Sequence, residues 1–182
     1  VETSYNIAPG ADISIIHQQD GRRVLDSRRW GLIPFWAKEG GREMINARSE
    51  TVSEKPSFRH AFSKRRCLIP SSGFYEWEKT ENGKQPWFIS GKHQPLVFAG
   101  IWEQWKSPEG FSVKTCAILT CEANELMAPI QHRMPVILQE KERNIWLDPQ
   151  PKLDLKSLLR PCSQALLQAW PVSSRVNRPV FN

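Results

Sequence analysis

No apolar run in this sequence approaches the ~18 residues of a membrane span, and its first residues lack the basic, apolar and small-residue order of a secretory signal. Cysteine is scarce: Cys67, Cys116, Cys121 and Cys162, with no CxxC and no Cys/His ligand pattern. Cys116 and Cys121 lie five apart on a predicted strand, so they face opposite sides and cannot share a metal. No metal or other cofactor is expected. Without a disulfide framework, a reduced, cytosolic chain with buried thiols is favoured. No internal repeat or low-complexity tract is present.

What remains is an ordinary globular composition. The chain has 182 residues, 40% hydrophobic and 24% charged, which suits one soluble domain with a full core over residues 1–182. Eight tryptophans is a high count for this length; Trp fills cores but is also a stacking surface. The net charge of +6 and pI near 9.3 permit a polyanion partner. The cations cluster at Arg22, Arg23, Arg28 and Arg29 and again at Arg59, Lys64, Arg65 and Arg66, which fits either that partner or a solvated face.

Taken in order, Tyr5–Gly10 reads as a loop. Ile13–His17 and Arg22–Trp30 read as a strand pair around Asp20-Gly21, a tight hairpin signal. Trp30-Gly31-Leu32-Ile33-Pro34-Phe35-Trp36 is an aromatic loop that must bury or bind something. Gly40-Gly41 marks flexibility. Ser57–Arg66 has a helix pattern, with Ser57 as cap and Lys64-Arg65-Arg66 at the C-terminal dipole. A hairpin turn at Glu81–Lys84 separates strands Tyr75–Lys79 and Pro86–Ser90. Leu96–Trp102, Ser112–Thr120 and Val136–Leu138 are predicted strands. Glu122–Ile130, Glu140–Leu147 and Leu153–Leu159 are predicted helices, Ala165–Trp170 fits either type, and Pro171–Asn182 reads as a tail. The sum is an α+β domain on a curved, barrel-like antiparallel sheet with a few short helices.

One stretch stands apart. Cys67–Glu78 reads as strand, Pro-Ser-Ser-Gly break, strand. A period of two puts Phe74, Glu76 and Glu78 on one face and Tyr75 and Trp77 on the other. Glu76, a carboxylate between two aromatics just after a glycine, is either an edge-strand solubiliser or a working acid/base.

Six segments occur together: Tyr5-Asn6-Ile7-Ala8-Pro9, Trp30-Gly31-Leu32-Ile33-Pro34, Asn46-Ala47-Arg48, Gly73-Phe74-Tyr75-Glu76-Trp77, Leu119-Thr120 and His132-Arg133-Met134-Pro135. In this order they resemble the SOS-response-associated peptidase (SRAP) family over nearly the whole chain. The resemblance implies a monomeric sensor of abasic sites in single-stranded DNA, cytoplasmic or, in a bacterium, nucleoid-associated, with no membrane partner. It implies an N-terminal cysteine whose amine and thiol close a thiazolidine with the ring-opened sugar, the same cysteine serving autoproteolytic maturation. Glu76 would then shuttle protons, its pKa raised among aromatics. Asn46 would hold the sugar or the amine, with His132 as the third catalytic group. Arg48 and Arg133 would hold phosphates, Thr120 would donate to one, and Trp36 would stack on a base. The plainer alternatives are a turn residue for Asn46, a surface ion pair for Arg48, a core residue for Trp36 and a strand filler for Thr120.

Two departures bear on that expectation. The sequence opens at Val1, and the family's Cys-Gly-Arg start is absent, so either the sequence is cut short there or the nucleophile has been lost. As it stands, the chain is expected to bind DNA without closing a thiazolidine, because an internal cysteine has no free amine. The family's Ile-His-x-Arg-Met-Pro reads Ile130-Gln131-His132-Arg133-Met134-Pro135 here, so its histidine falls on Gln131 and His132 stands one place later. If this is strand, His132 faces away from the position of Gln131. Three functions stay open: an abasic-site cross-linker, a peptidase acting on its own N-terminal extension, and a single-stranded DNA-binding module without catalysis.

Overall fold

Asp20 and Gly21 hold φ values of 48° and 75° and close a two-residue turn between β1 (Asp12–Gln19) and β2 (Arg22–Trp30). Two successive positive φ values match the right-handed twist of the flanking strands. The structure, a computed structural model, describes residues 4–38 and 41–178. The flexibility expected at Gly40 lies outside them, as does the end of the C-terminal tail.

Beyond the hairpin come β3 (Asn46–Arg48), α1 (Arg59–Lys64), β4 (Arg66–Ser71), β5 (Gly73–Thr80), β6 (Gly83–Gly91), β7 (Leu96–Lys106), β8 (Ser112–Glu122), β9 (Arg133–Pro135), α2 (Glu140–Leu147) and β10 (Leu167–Pro171). The large sheet runs β2-β1-β4-β7-β8 and closes on itself. The closure is a short parallel pairing, Arg29 with Thr115 and Trp30 with Cys116, in a sheet whose other barrel pairings are antiparallel. A second sheet runs β10-β6-β5. The expected barrel-like α+β fold is therefore present, with strands predominating. Among the described residues no helix is long and apolar enough to cross a membrane.

Strands β4 and β5 do not pair with each other. Ser72 and Gly73 form a corner at which the chain leaves the barrel for the second sheet. Gly73 is required there: a Cβ would lie 2.4 Å from both the Ile89 carbonyl oxygen and the Phe88 ring. The two sheets pack through side chains, with Phe74 edge-on to Phe98 at 5.9 Å.

Several local expectations are corrected. The first helix is shorter than Ser57–Arg66; Phe58, not Ser57, occupies its N-cap, without a side-chain cap bond. Glu122–Ile130 is a run of turns rather than a helix. The Asn124 side chain takes the Met127 N–H, and Pro129 has no N–H to continue a helical ladder. Leu153–Leu159 narrows to a 3₁₀ turn at Leu155–Leu158, capped by Asp154. Ala165–Trp170 resolves into a 3₁₀ turn followed by β10. The strand expected at Val136–Leu138 lies earlier, at β9, and Ile137 makes only an isolated bridge to Phe98.

Of the clustered cations, Arg22, Arg23, Arg29, Arg59 and Lys64 are exposed, while Arg28, Arg65 and Arg66 turn inward. Arg28 is buried, bonds Asp26 at 2.6 Å and lies 4.9 Å over the Trp102 ring. Arg65 approaches the same ring at 5.2 Å and pairs with Glu103, a fully buried carboxylate that also binds His60 at 2.8 Å. Arg66 is buried and donates to the carbonyls of Phe62 (2.7 Å), Ser63 (2.7 Å), Trp146 (2.8 Å) and Asp148 (2.5 Å). One guanidinium thus ties the end of α1 and the end of α2 to the first residue of β4. These three cations serve the core rather than a polyanion or a solvated face.

Arg66→Ala leaves four carbonyl partners without their donor. It is expected to lower unfolding free energy by about 3–5 kcal/mol, read as a drop in urea midpoint at unchanged slope. A loss below about 0.5 kcal/mol, the level of an ordinary surface change, would show that this anchor is dispensable.

Candidate nucleic-acid interface

Strand β8 exchanges its neighbours halfway along. Its first half pairs with β7 and β2; its second half pairs with β9 and β3. β7 and β8 splay at that point, and Val136 enters between them, donating to Leu119 O and accepting from Ala99 N. The exchange brings Arg48, opposite Thr120 on one edge, close to Arg133, which enters on the other edge opposite Glu122.

Arg133 is firmly held. Its Nη1 and Nη2 fork onto Glu50 at 3.0 and 2.9 Å, Nη2 also reaches Thr120 O at 2.7 Å, and Nε donates to Thr120 Oγ1 at 3.3 Å. Four of the five guanidinium N–H groups are engaged, leaving one on Nη1. The Arg133 fork holds the Glu50 carboxyl below the usual carboxylate range, and the positive charge of Arg48 adds to this. Thr120 is buried, whereas Arg48 is exposed, as is Asn46 two residues earlier on the same face of β3.

Glu76 lies on β5, opposite Trp87 of β6 and half-buried. Its face carries Phe74 and Glu78, as the alternation requires, and Glu78 accepts the Trp87 indole N–H at 2.9 Å. Loss of water pushes the Glu76 carboxyl up to about 7. Two donors, the Gln131 side chain and the Trp77 backbone N–H, pull in the other direction without cancelling that rise. On the opposite face, Tyr75 donates to Tyr5 O at 3.0 Å, which lays the N-terminal segment beside the strand of Glu76. Trp77 donates to Asn177 Oδ1 at 2.8 Å, and Asn6 donates to Val176 O at 3.0 Å.

The histidine expectation needs correction. His132 is exposed, and the group that reaches Glu76 is Gln131. Both residues lie in the bend before β9, where the His132 N–H turns back onto the Gln131 side chain. The sequence reading names His132 and assigns Gln131 no role. The signal for it was there, because alignment on Arg133-Met134-Pro135 puts Gln131 where the family has its histidine.

Trp36 sits on a separate loop, 54% exposed, its indole N–H on Pro56 O at 3.3 Å. Phe35 beside it is also exposed and packs on the His60 ring at 4.8 Å. The same aromatic loop buries Leu32 and ties the Trp30 indole to Ile45 O at 2.9 Å, so it is anchored at one end and open at the other. All four cysteines are buried free thiols. Burial pushes Cys67 well up, Cys116 and Cys121 up to about 12 and Cys162 up to about 11, so none supplies a thiolate near neutral pH. Among the described residues no cluster of His, Cys, Asp and Glu could hold a metal ion.

Comparison with known proteins gives a consistent set of likenesses. Residues 1–179 match the family model described as SOS response associated peptidase (SRAP). The chain is 46% identical over 186 residues to the abasic site processing protein YoqW of Bacillus subtilis, covering 98% of this chain and 83% of that protein. It is 35% identical to the abasic site processing protein HMCES of Gallus gallus, covering 96% of this chain and 62% of that longer protein. Among solved structures, a protein from Bacteroides thetaiotaomicron superposes with a TM-score of 0.84 at 34% identity, over 91% of this chain and 75% of the other. One from Bordetella bronchiseptica gives 0.85 at 26% identity, over 95% and 89%.

The raised Glu76 pKa has a stability consequence. A carboxyl that titrates near 4.5 unfolded and about 7 folded contributes stability that is whole below pH 4.5 and is lost as pH rises through about 7. Glu76→Gln removes that loss. The variant should match the wild type at pH 4.5 and exceed it at pH 8 by on the order of 2 kcal/mol, measured by denaturant unfolding at both pH values. Equal stability at pH 8 would mean that Glu76 ionises in the ordinary carboxylate range.

Proposed function

The chain belongs to the SRAP family, and from that membership we propose that it processes abasic sites in single-stranded DNA by forming a covalent thiazolidine cross-link through an N-terminal cysteine. The observation that carries this reading is Glu76, a carboxyl kept half-buried beside Trp87 and titrating at about 7. An aldehyde condensing with an amine loses water, and a group poised between its two protonation states at neutral pH can give and take the proton required. The Tyr75–Tyr5 hydrogen bond lays the N-terminal segment along this strand, on the face opposite Glu76.

In this reading Asn46 and Arg48, exposed on one face of β3, receive the sugar and a flanking phosphate. Trp36 stacks on a neighbouring base, an interaction of about 1–3 kcal/mol. Arg133 offers a phosphate one remaining N–H and otherwise works with Thr120 to hold the end of β3 in place. The same cysteine and the same carboxyl would serve removal of a preceding peptide. The named homologues are abasic site processing proteins, which favours DNA as the principal substrate.

Denaturing gels test this directly, with fluorescent single-stranded DNA carrying one abasic site and protein expressed from its native gene start. A slow-migrating band is expected, forming about 10²-fold more slowly with Glu76→Gln. Absence of a band would overturn the cross-linking reading and leave a non-catalytic binder. In that case affinity should still fall steeply with salt, with a log–log slope about one unit shallower in Arg48→Ala. An unchanged slope would remove Arg48 from the phosphate contacts.

A further inference from the structure

His60 joins a buried carboxylate to the open aromatic loop. Its Nδ1 lies 2.8 Å from Oε1 of Glu103, whose side chain is 2% exposed and whose Oε2 takes the Arg65 guanidinium. A carboxylate only accepts, so Nδ1 carries the hydrogen and the ring orientation is set. Phe35 packs on the ring at 4.8 Å and holds it from the loop side. Nε2, across the ring from Nδ1, has no hydrogen-bond partner among the described residues, and the side chain is 42% exposed. The surroundings carry one sign of charge. Residues 55–66 hold Lys55, Arg59, Lys64, Arg65 and Arg66 and no acidic residue. Lys55, Arg59 and Lys64 are exposed, as is Lys38 on the aromatic loop, and none of these forms an ion pair with another described residue. The Trp36 indole on Pro56 O fixes the loop to this segment, and the turns after β3 lead the chain from Arg48 to it.

We propose that His60 is a phosphate-binding residue of the DNA track, its Nε2 donating to the strand's backbone beside the Phe35–Trp36 shelf. The identity of the ligand rests on the proposed function. Glu103 and Arg65 cancel each other's charge, so a proton on His60 leaves the trio with one net positive charge, carried at the surface. Only an imidazolium offers a hydrogen at Nε2 while Nδ1–H stays on Glu103, so the contact takes up one proton. DNA binding at this point therefore strengthens as the imidazole protonates, between about pH 5 and 8 where histidine changes charge. The charged groups on the elements packed around the ring are Glu103 of β7, Arg65, Arg59 and Lys64 of α1 and its end, Lys55 before it and Lys38 of the loop. Of these and His60, only an imidazole ordinarily titrates in that interval. The contact thus differs in kind from those of Arg48 and Arg133, whose guanidinium charge is fixed.

Fluorescence anisotropy with a labelled oligothymidylate tests this, using protein expressed from its native gene start. The strand carries no abasic site, which keeps binding separate from cross-linking. Affinity is measured over a salt series at pH 6 and at pH 8.5, on either side of the imidazole range. Each phosphate contact to a single strand adds about 0.7 to the slope of log affinity against log salt. His60→Gln keeps a donor for Glu103 and cannot gain a charge. Its slope should be about 0.7 shallower than that of the wild type at pH 6 and equal to it at pH 8.5. Other histidines contribute equally to both proteins, and a merely structural His60 would shift neither slope with pH. A second measurement needs no variant: ¹⁵N NMR of the His60 ring at pH 7, assigned by backbone-to-ring correlation. Saturation with the oligonucleotide should move Nε2 toward its imidazolium position. The same pH effect on the slope in both proteins, or a His60 ring unmoved at saturation, would overturn the proposal and leave the proposed function standing. Wild-type protein that fails to bind the oligonucleotide at either pH would overturn both.

Discussion

The geometry of this protein depends on how one strand divides its hydrogen bonds. β8 is eleven residues long, and neither of its neighbours stays with it. Its first half belongs to the barrel, held by β7 and by the two-residue parallel closure with β2. Its second half leaves the barrel and takes β3 and β9 instead. Each backbone donor and acceptor must find a partner when buried, so β7 can splay away only because Val136 inserts where it departs. The candidate interface is the outcome of that exchange: Arg48, Thr120 and Arg133 sit where the barrel hands β8 on to two short strands.

Glu76 belongs to a different kind of structure. It stands on a strand outside the barrel, in a sheet reached through the Ser72–Gly73 corner, and meets the rest of the interface through the side chain of Gln131. Desolvation raises its proton affinity and two donors restrain the rise. A nearby guanidinium would have stabilised the carboxylate and brought the value back toward the ordinary range. The closest arginine in sequence to Gln131 is Arg133, and its pairing with Glu50 leaves a net neutral group there.

Much of this was legible in the sequence. Asp20-Gly21 and Asn82-Gly83 fixed two hairpins because their turns demand positive φ or local flexibility. Period-two alternation correctly assigned the faces of β5, including that of Glu76. Reading failed where tertiary contacts override local preference. Glu122–Ile130 has helical spacing, but the Asn124 side chain and Pro129 favour turns. Arg28, Arg65 and Arg66 could not be told from their exposed neighbours, because a linear sequence cannot show that Arg66 has four inward-facing carbonyls or that Arg28 and Arg65 share Trp102. His132 stood out as the chemically versatile residue, while the amide beside it makes the contact.

The corner at Gly73 has one further consequence. The β10-β6-β5 sheet is joined to the barrel by covalent connections and by side-chain packing such as Phe74 on Phe98, while its ladder is its own. Such a unit can open as a separate cooperative segment at a lower free energy than the barrel requires for global unfolding. Glu76 rides on that second sheet and Arg48 on the barrel's own sheet. Motions of that sheet that leave the barrel intact would shift the carboxyl relative to the β3 face.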